Sequence, residues 1–371
     1  MSDLKQFDRY LDHDGPAALV IRQYLMPVDG PDGVLFPPTY AGGSGFEGGY
    51  NIDTDANGKT VALIDSVGSQ ANRIEPIFML DSYKTLVPQI TIKAGDKVVN
   101  ILETGHRAGD ALVRCSSIGD EVGKAFQELL KGDASALAHL APTSLVFGVW
   151  DSRESMAKVP RLVSSTIRAY GIRLLRRGAV YTPPVDYSVL NVFSEEDKSK
   201  AENDNKSPLA IRGFVHVPAS ASHGGIIADE GIRRDATLGL AALRFLSAGT
   251  DENRTLVLRR YILGLSLVAF TAPPASYLRQ GCTLVANPDR SSENRFSEVF
   301  PDGRQVPCKI THEIAIEYAR ATAAQFNIAE DREVTFDPDK AKFDVKAKEK
   351  DKSKGKKAKG NKQEVDNEDA E

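Results

Sequence analysis

Apolar residues in this chain come in short bursts of different period, set apart by polar stretches rich in Gly and Pro. Residues 17–26 are almost continuously apolar, which predicts a first, largely buried strand. Residues 60–64 predict a second, shorter one. Asp65 and Ser66 follow at once, and both are good helix N-caps. Val67, Ala71, Ile74 and Phe78 then recur at helical spacing and predict the buried face of a helix. Ser66, Gln70 and Arg73 share another face by the same spacing. Pro76 is expected to kink or end the helix.

Further on, residues 86–93 and 98–102 predict paired strands around Ala94-Gly95-Asp96, and residues 120–131 a helix ending at Gly132. Residues 144–150 read as a buried strand and residues 210–218 as another. Helices are expected over 232–248 and 255–271, the first with Ile232, Ala236, Leu240 and Leu243 on one stripe. A last helix is expected near 311–326. Strands and helices mix without strict alternation, which favours an α+β fold. The longest apolar run, residues 261–272, is too short to span a bilayer and predicts a buried helix.

Two stretches break the pattern. Residues 27–59 are rich in Pro, Gly and Asp and form a long loop, a feature that is usually functional or mobile. Residues 194–208 are polar and of low complexity, within an expected flexible insertion at about 186–208. From about Pro338 the chain carries eleven Lys and nine acids, a lysine-rich run and then an acidic end. Such a segment cannot bury a core. The expected organisation is one domain over residues 1–337, followed by a disordered tail over 338–371.

Composition is that of a soluble globular protein, with 41% hydrophobic and 26% charged residues. Asp3, Lys5, Asp8 and Arg9 interrupt the start, so it does not read as a signal peptide. Three widely spaced cysteines, Cys115, Cys282 and Cys308, fit reduced thiols in a cytoplasm. The net charge of −4 runs against nucleic-acid binding taken alone. Its distribution does not. Between Arg153 and Tyr181 six Arg and one Lys face a single acid, Glu154, for a local charge of +6. A local field of that size can hold a phosphate chain on an acidic protein.

Catalytic signatures are missing from the sequence. His312-Glu313 is followed by Ile316 where a zincin helix needs its second His. The cysteines lack CxxC spacing, and the glycines of 42–49 are not followed by the Lys-Ser/Thr of a phosphate-binding loop. No cofactor or metal is expected. Two blocks stand out instead: residues 65–75, and residues 147–152 continuing through 158–170. Both place Arg, Ser, Gln and Asn just after apolar runs, and these groups grip phosphate and sugar. Trp150 is expected in the core, with a stacking platform for a base as the alternative. His223, before Gly224-Gly225, reads equally as an RNA neighbour or as a plain loop histidine.

The blocks Asp65-Ser-Val-Gly-Ser-Gln-Ala-Asn-Arg-Ile-Glu75, Leu145-Val-Phe-Gly-Val-Trp-Asp-Ser152 and Lys158-Val-Pro-Arg161 resemble the backbone subunit of the type I-U (I-G) CRISPR interference complex. Ser165-Thr-Ile-Arg-Ala169, His223-Gly-Gly-Ile-Ile-Ala228, Arg233-Arg-Asp-Ala-Thr-Leu238 and Leu258-Arg-Arg-Tyr-Ile-Leu-Gly-Leu265 fit the same family in the same order. The resemblance covers roughly residues 15–330. It implies a Cas-seven-type member of the RAMP superfamily: a modified RNA-recognition (ferredoxin-like) core with large thumb and finger insertions. Such subunits stack helically along guide RNA, beside a large subunit and a subunit at the guide end, while the guide pairs with target DNA.

On that reading Ser69, Gln70, Asn72 and Arg73 hold guide phosphates near a helix start, where free N–H groups favour anions. Lys158, Arg161, Ser164 and Arg168 form a second wall, with His223 nearby. For Arg73 the alternative is an internal pair with Asp65 or near Glu75. The 27–59 loop and the 186–208 insertion are the finger and thumb candidates, without assignment between them. The expected protein is non-catalytic, cytoplasmic and free of any membrane. Two other functions remain open: a RAMP endoribonuclease using a loop aspartate (Asp53, Asp55 or Asp186), and a small-molecule enzyme using the 42–49 loop.

Overall fold

The computed structural model describes residues 3–202, 204 and 206–346. Its centre is a nine-stranded antiparallel sheet. The first strand, β1 (Ala18–Pro27), lies where the apolar run predicts it. After the 27–59 loop come β2 (Thr60–Asp65) and the helix α1 (Val67–Ile74), capped by Ser66, whose Oγ accepts from Ser69 N at 3.2 Å. Pro76 ends α1, and a 3-10 turn over Glu75–Met79 follows. Two long strands, β3 (Val163–Tyr181) and β4 (Val217–Gly239), pair with each other. β1 pairs with β4, and β2 with β3.

Helices pack on one face of the sheet. α2 (Glu252–Thr271) is buried on all sides from Arg260 to Phe270, as a helix in a large core must be. It lies against α3 (His312–Phe326). Gly264 is the point of close approach, because a Cβ there would sit 2.9 Å from Ala319 Cα. A small second sheet pairs Ile90–Ala94 with Lys97–Asn100 around Gly95, close to the expected hairpin. The architecture is α+β, as an RRM-like core with insertions requires.

Three segments differ from expectation. Residues 142–147 form a helix that starts at Pro142, and only Val149–Trp150 is strand. All six helical residues are buried, so no period separates a strand from a helix there. Pro208–Ile211 is helical, and the strand begins only at Val217. Residues 232–239 are strand, not helix. Ile232 and Ala236 are four apart, an interval that keeps one face in both structures because four is even.

The insertions are ordered. Past Tyr170 and Gly231, β3 and β4 leave the sheet as a two-stranded arm. The departure uses Gly171, at φ +65°, where a Cβ would meet Glu230 N at 3.0 Å. Residues 182–216 close the arm as a lobe with its own apolar cluster of Ala201, Ala210 and Val215. Glu195–Glu202 is helical, a correction to the expected flexible stretch. The 27–59 loop carries three short strands and leans on the arm, with Leu35 N donating to Ile226 O at 3.0 Å. Residues 338–346, expected in the tail, are helical, and an Arg114–Asp344 ion pair of 2.6 Å ties them to the body. The remainder of the expected tail, 347–371, lies outside the described residues.

Candidate nucleic-acid interface

The residues expected to touch RNA fall into three places, with His223 apart from them on the arm. Four of them come from α1, which follows β2 directly, so Asp65 at the strand end faces the helix start. Asp65 is 1% exposed. It accepts from Ser69 Oγ at 2.8 Å, Gln70 Nε2 at 2.7 Å, Arg73 Nε at 3.1 Å and Arg279 Nη2 at 3.1 Å. Gln70 Oε1 accepts from Ser165 Oγ at 2.9 Å, and Ser165 accepts from Arg234 Nε at 3.1 Å. A buried carboxylate must be paired and hydrogen-bonded, and these groups do that. Ser69, Gln70 and Arg73 are therefore turned inward, with Gln70 only 3% exposed. For Arg73 the structure shows the internal pair with Asp65 that the sequence offers as its alternative, and Ser69 and Arg73 remain half-buried. Burial lowers the affinity of Arg234 for its proton, to about 10.

The second place is an open cleft of about 460 Å³. It lies between the 105–107 turn, the Gly148–Trp150 segment and Lys158–Arg161. Trp150 and Lys158 are cross-strand neighbours, which puts both side chains on one face. Lys158 Nζ stands 5.9 Å from the Trp150 ring centre, and Trp150 is 56% exposed. The core position expected for Trp150 is thus corrected. Gly148 is at φ +79°, and a Cβ there would lie 2.8 Å from Arg161 Cγ. Arg161 crosses it to donate from Nε to Phe147 O at 3.0 Å.

Arg107 lines the same cleft although it is 4% exposed. Its Nε lies 2.7 Å from Glu75 Oε2. Its Nη1 donates to Gly148 O at 3.3 Å, and its Nη2 approaches Asn72 Oδ1 at 3.5 Å. Burial lowers its affinity for the proton; Glu75 opposes that, and the charge on Arg161 adds to it. Burial also pushes the Glu75 carboxyl up to about 7, against Arg107 and Thr143. Among the described residues neither Lys158 nor Arg161 has an ion-pair partner. Lys158 and Arg161 are the expected residues that line the cleft, and Asn72 adjoins it through Arg107. Arg107 was not legible: it stands in no motif, and its partner Glu75 is 32 positions away.

The third place is the sheet face opposite the helices. Ser164 and Arg168 of β3 pair with Thr237 and Arg233 of β4. Arg233 reaches Tyr170 Oη at 2.9 Å and Asp235 at 2.8 Å, and Arg290 stacks on Tyr24 at 3.7 Å. His223 is on the arm, its ring 4.7 Å from that of Tyr50, and is not among the cleft residues.

Two of the three aspartates offered for cleavage have structural bonds. Asp55 accepts from the backbone N–H groups of Asn57 and Lys59. Asp186 pairs with Lys198 at 2.5 Å, and Asp53 sits in a short strand beside β2. Among the described residues no group of three or more His, Cys, Asp or Glu is placed to hold a metal ion. No helix among them is long and apolar enough to cross a membrane.

Residues 19–174 match the model of a protein family described as CRISPR-associated protein GSU0053. A search of curated proteins found no match.

Proposed function

Starting from the match of residues 19–174 to a CRISPR-associated protein family, we propose that the chain is the non-catalytic, guide-RNA-binding backbone subunit of an interference complex of the type I-U (I-G) kind. Copies assemble helically along the guide, beside a large subunit and a guide-end subunit, in the cytoplasm. The guide pairs with target DNA, so sequence is read by base pairing and the subunit reads shape and phosphate.

The observation that carries this reading is the cleft. Among the described residues Lys158 and Arg161 have no ion-pair carboxylate, and Arg107 and Asn72 stand behind. Unneutralised cations at the mouth of a groove are available to exchange counterions for phosphate. The basic side of β3 extends the same charge toward the arm. The arm and its lobe supply the thumb, and the 27–59 loop supplies the finger braced against it. Nothing among the loop aspartates favours the cleavage alternative.

The test is light scattering on the size-separated protein, with and without a guide-length RNA. RNA-dependent growth into discrete large assemblies is expected, and Arg161→Ala should weaken it. A particle of unchanged size that carries no RNA at low salt would refute the reading.

A further inference from the structure

We propose that the Trp150 cleft is a single-nucleotide subsite, in which one unpaired base stacks on the indole and its phosphate lies among Lys158, Arg161 and Arg107. The inference deepens the RNA-binding reading and rests on it for the source of the nucleotide.

Three observations carry it. A tryptophan is among the largest apolar side chains, and exposing one costs hydration free energy that burial would recover. This one is 56% exposed at the edge of a cleft. Its cross-strand neighbour is a lysine, and its surroundings are cationic. Second, the cleft floor holds a buried guanidinium, Arg107, whose Nε finds no well-aligned hydrogen-bond acceptor despite lying near Glu75. Arg107 also takes a backbone φ of +54°, uncommon for a non-glycine residue. Backbone strain of this kind persists only where surrounding structure holds it, and it gathers at binding sites. Third, the volume of about 460 Å³ falls within the range of about 300–1,000 Å³ usual for small-ligand sites.

An aromatic face with cations beside it fits a nucleotide: the π-face takes any base, and the cations take its phosphate. Tyr170 and Tyr24 differ in this respect, because arginines already lie on them. Among the described residues the cation near the Trp150 ring is the Lys158 ammonium, at the long distance of 5.9 Å. Gly148 fixes the geometry, since a side chain there would push Arg161 out of the cleft.

Trp150 is the chain's single tryptophan, so its fluorescence reports this cleft alone. The protein is titrated with an unstructured RNA oligonucleotide, with a nucleoside monophosphate, and with a blunt RNA duplex. Binding is followed in parallel by the anisotropy of labelled RNA. Quenching by the single strand but not by the duplex is expected. Quenching that needs the strand assigns the nucleotide to RNA; equal quenching by the monophosphate assigns it to a free nucleotide. Trp150→Ala should weaken single-strand affinity about 5- to 150-fold with the salt slope unchanged, and Trp150→Phe should restore most of it. RNA binding with unquenched Trp150 and an unaffected Trp150→Ala variant would overturn the subsite while leaving the backbone reading intact. No quenching by any of the three ligands would overturn it as well. Absence of RNA binding by anisotropy would count against the backbone reading separately.

Discussion

Asp65, at the end of β2, and Arg73, in the last turn of α1, meet side chain to side chain, with Arg73 Nε 3.1 Å from Asp65 Oδ2. The same carboxylate holds Arg279, which also donates to Ile64 O at 2.8 Å. One buried anion thus joins β2, α1 and the Tyr277–Arg279 strand at the sheet's edge.

Asp65→Asn removes the anion and leaves two half-buried guanidinium groups without their shared carboxylate. The expected loss is about 3–5 kcal/mol, the cost of breaking a buried pair from one side. Arg73→Ala leaves Asp65 with Arg279, Gln70 and Ser69, and should cost less, about 1–3 kcal/mol. Urea unfolding followed by circular dichroism measures both. Arg73→Ala should leave the salt dependence of RNA binding unchanged. A shallower slope at full stability would return Arg73 to the phosphates.

Lys158→Ala and Arg161→Ala should do the reverse. Both side chains are exposed and outside any ion pair among the described residues, so stability should change by less than about 0.5 kcal/mol. RNA affinity should fall, and the slope of log K against log salt should become shallower by about 0.7 for each phosphate that is no longer neutralised. Affinities taken at a series of potassium chloride concentrations test this, and two unchanged slopes would place the phosphates elsewhere.

Glu75 makes stability depend on pH. Burial raises its carboxyl from 4.5 to about 7 in the folded protein. The folded state then holds a proton that the unfolded state has lost. The associated stability is fully present below pH 4.5 and is lost as pH rises toward 7. By linkage the loss is at most about 3 kcal/mol. Glu75→Gln abolishes the titration, so the difference in urea midpoint between the two proteins should change between pH 5 and 7 and level off above. A constant difference over that range would show that Glu75 stays ionised beside Arg107.

The arm lobe has its own cluster, separate from the main core. Replacing residues 182–216 with an Asn-Gly turn should keep the body folded, within about 1 kcal/mol, because shortening a loop changes closure entropy only slowly. RNA-dependent assembly should be lost if the arm bridges copies. Light scattering with guide-length RNA decides it, and assemblies of undiminished size would free the arm from that role.

Much of the fold was legible because it is local. The Ser66 cap, the stop at Pro76, the Gly95 hairpin and the apolar run of α2 are set by neighbours within a few residues. The errors came where local spacing is degenerate. Ile232 and Ala236 satisfy a helix and a strand alike, and the wholly buried 142–147 segment shows no period. Long-range pairing with β1 and β3 decided for strand in the first case.

The sequence by itself determined which side chains carry charge and where α1 starts and stops, because caps, turns and charges are properties of a few adjacent residues. Only the tertiary structure decided which of those charges remain available. Arg73 and Arg161 look alike in sequence, each beside apolar residues in a polar block. The fold brings a buried carboxylate to the first and, among the described residues, none to the second. That difference is set by partners far along the chain, such as Arg279 and Glu75 with Arg107, whose meeting no local pattern encodes.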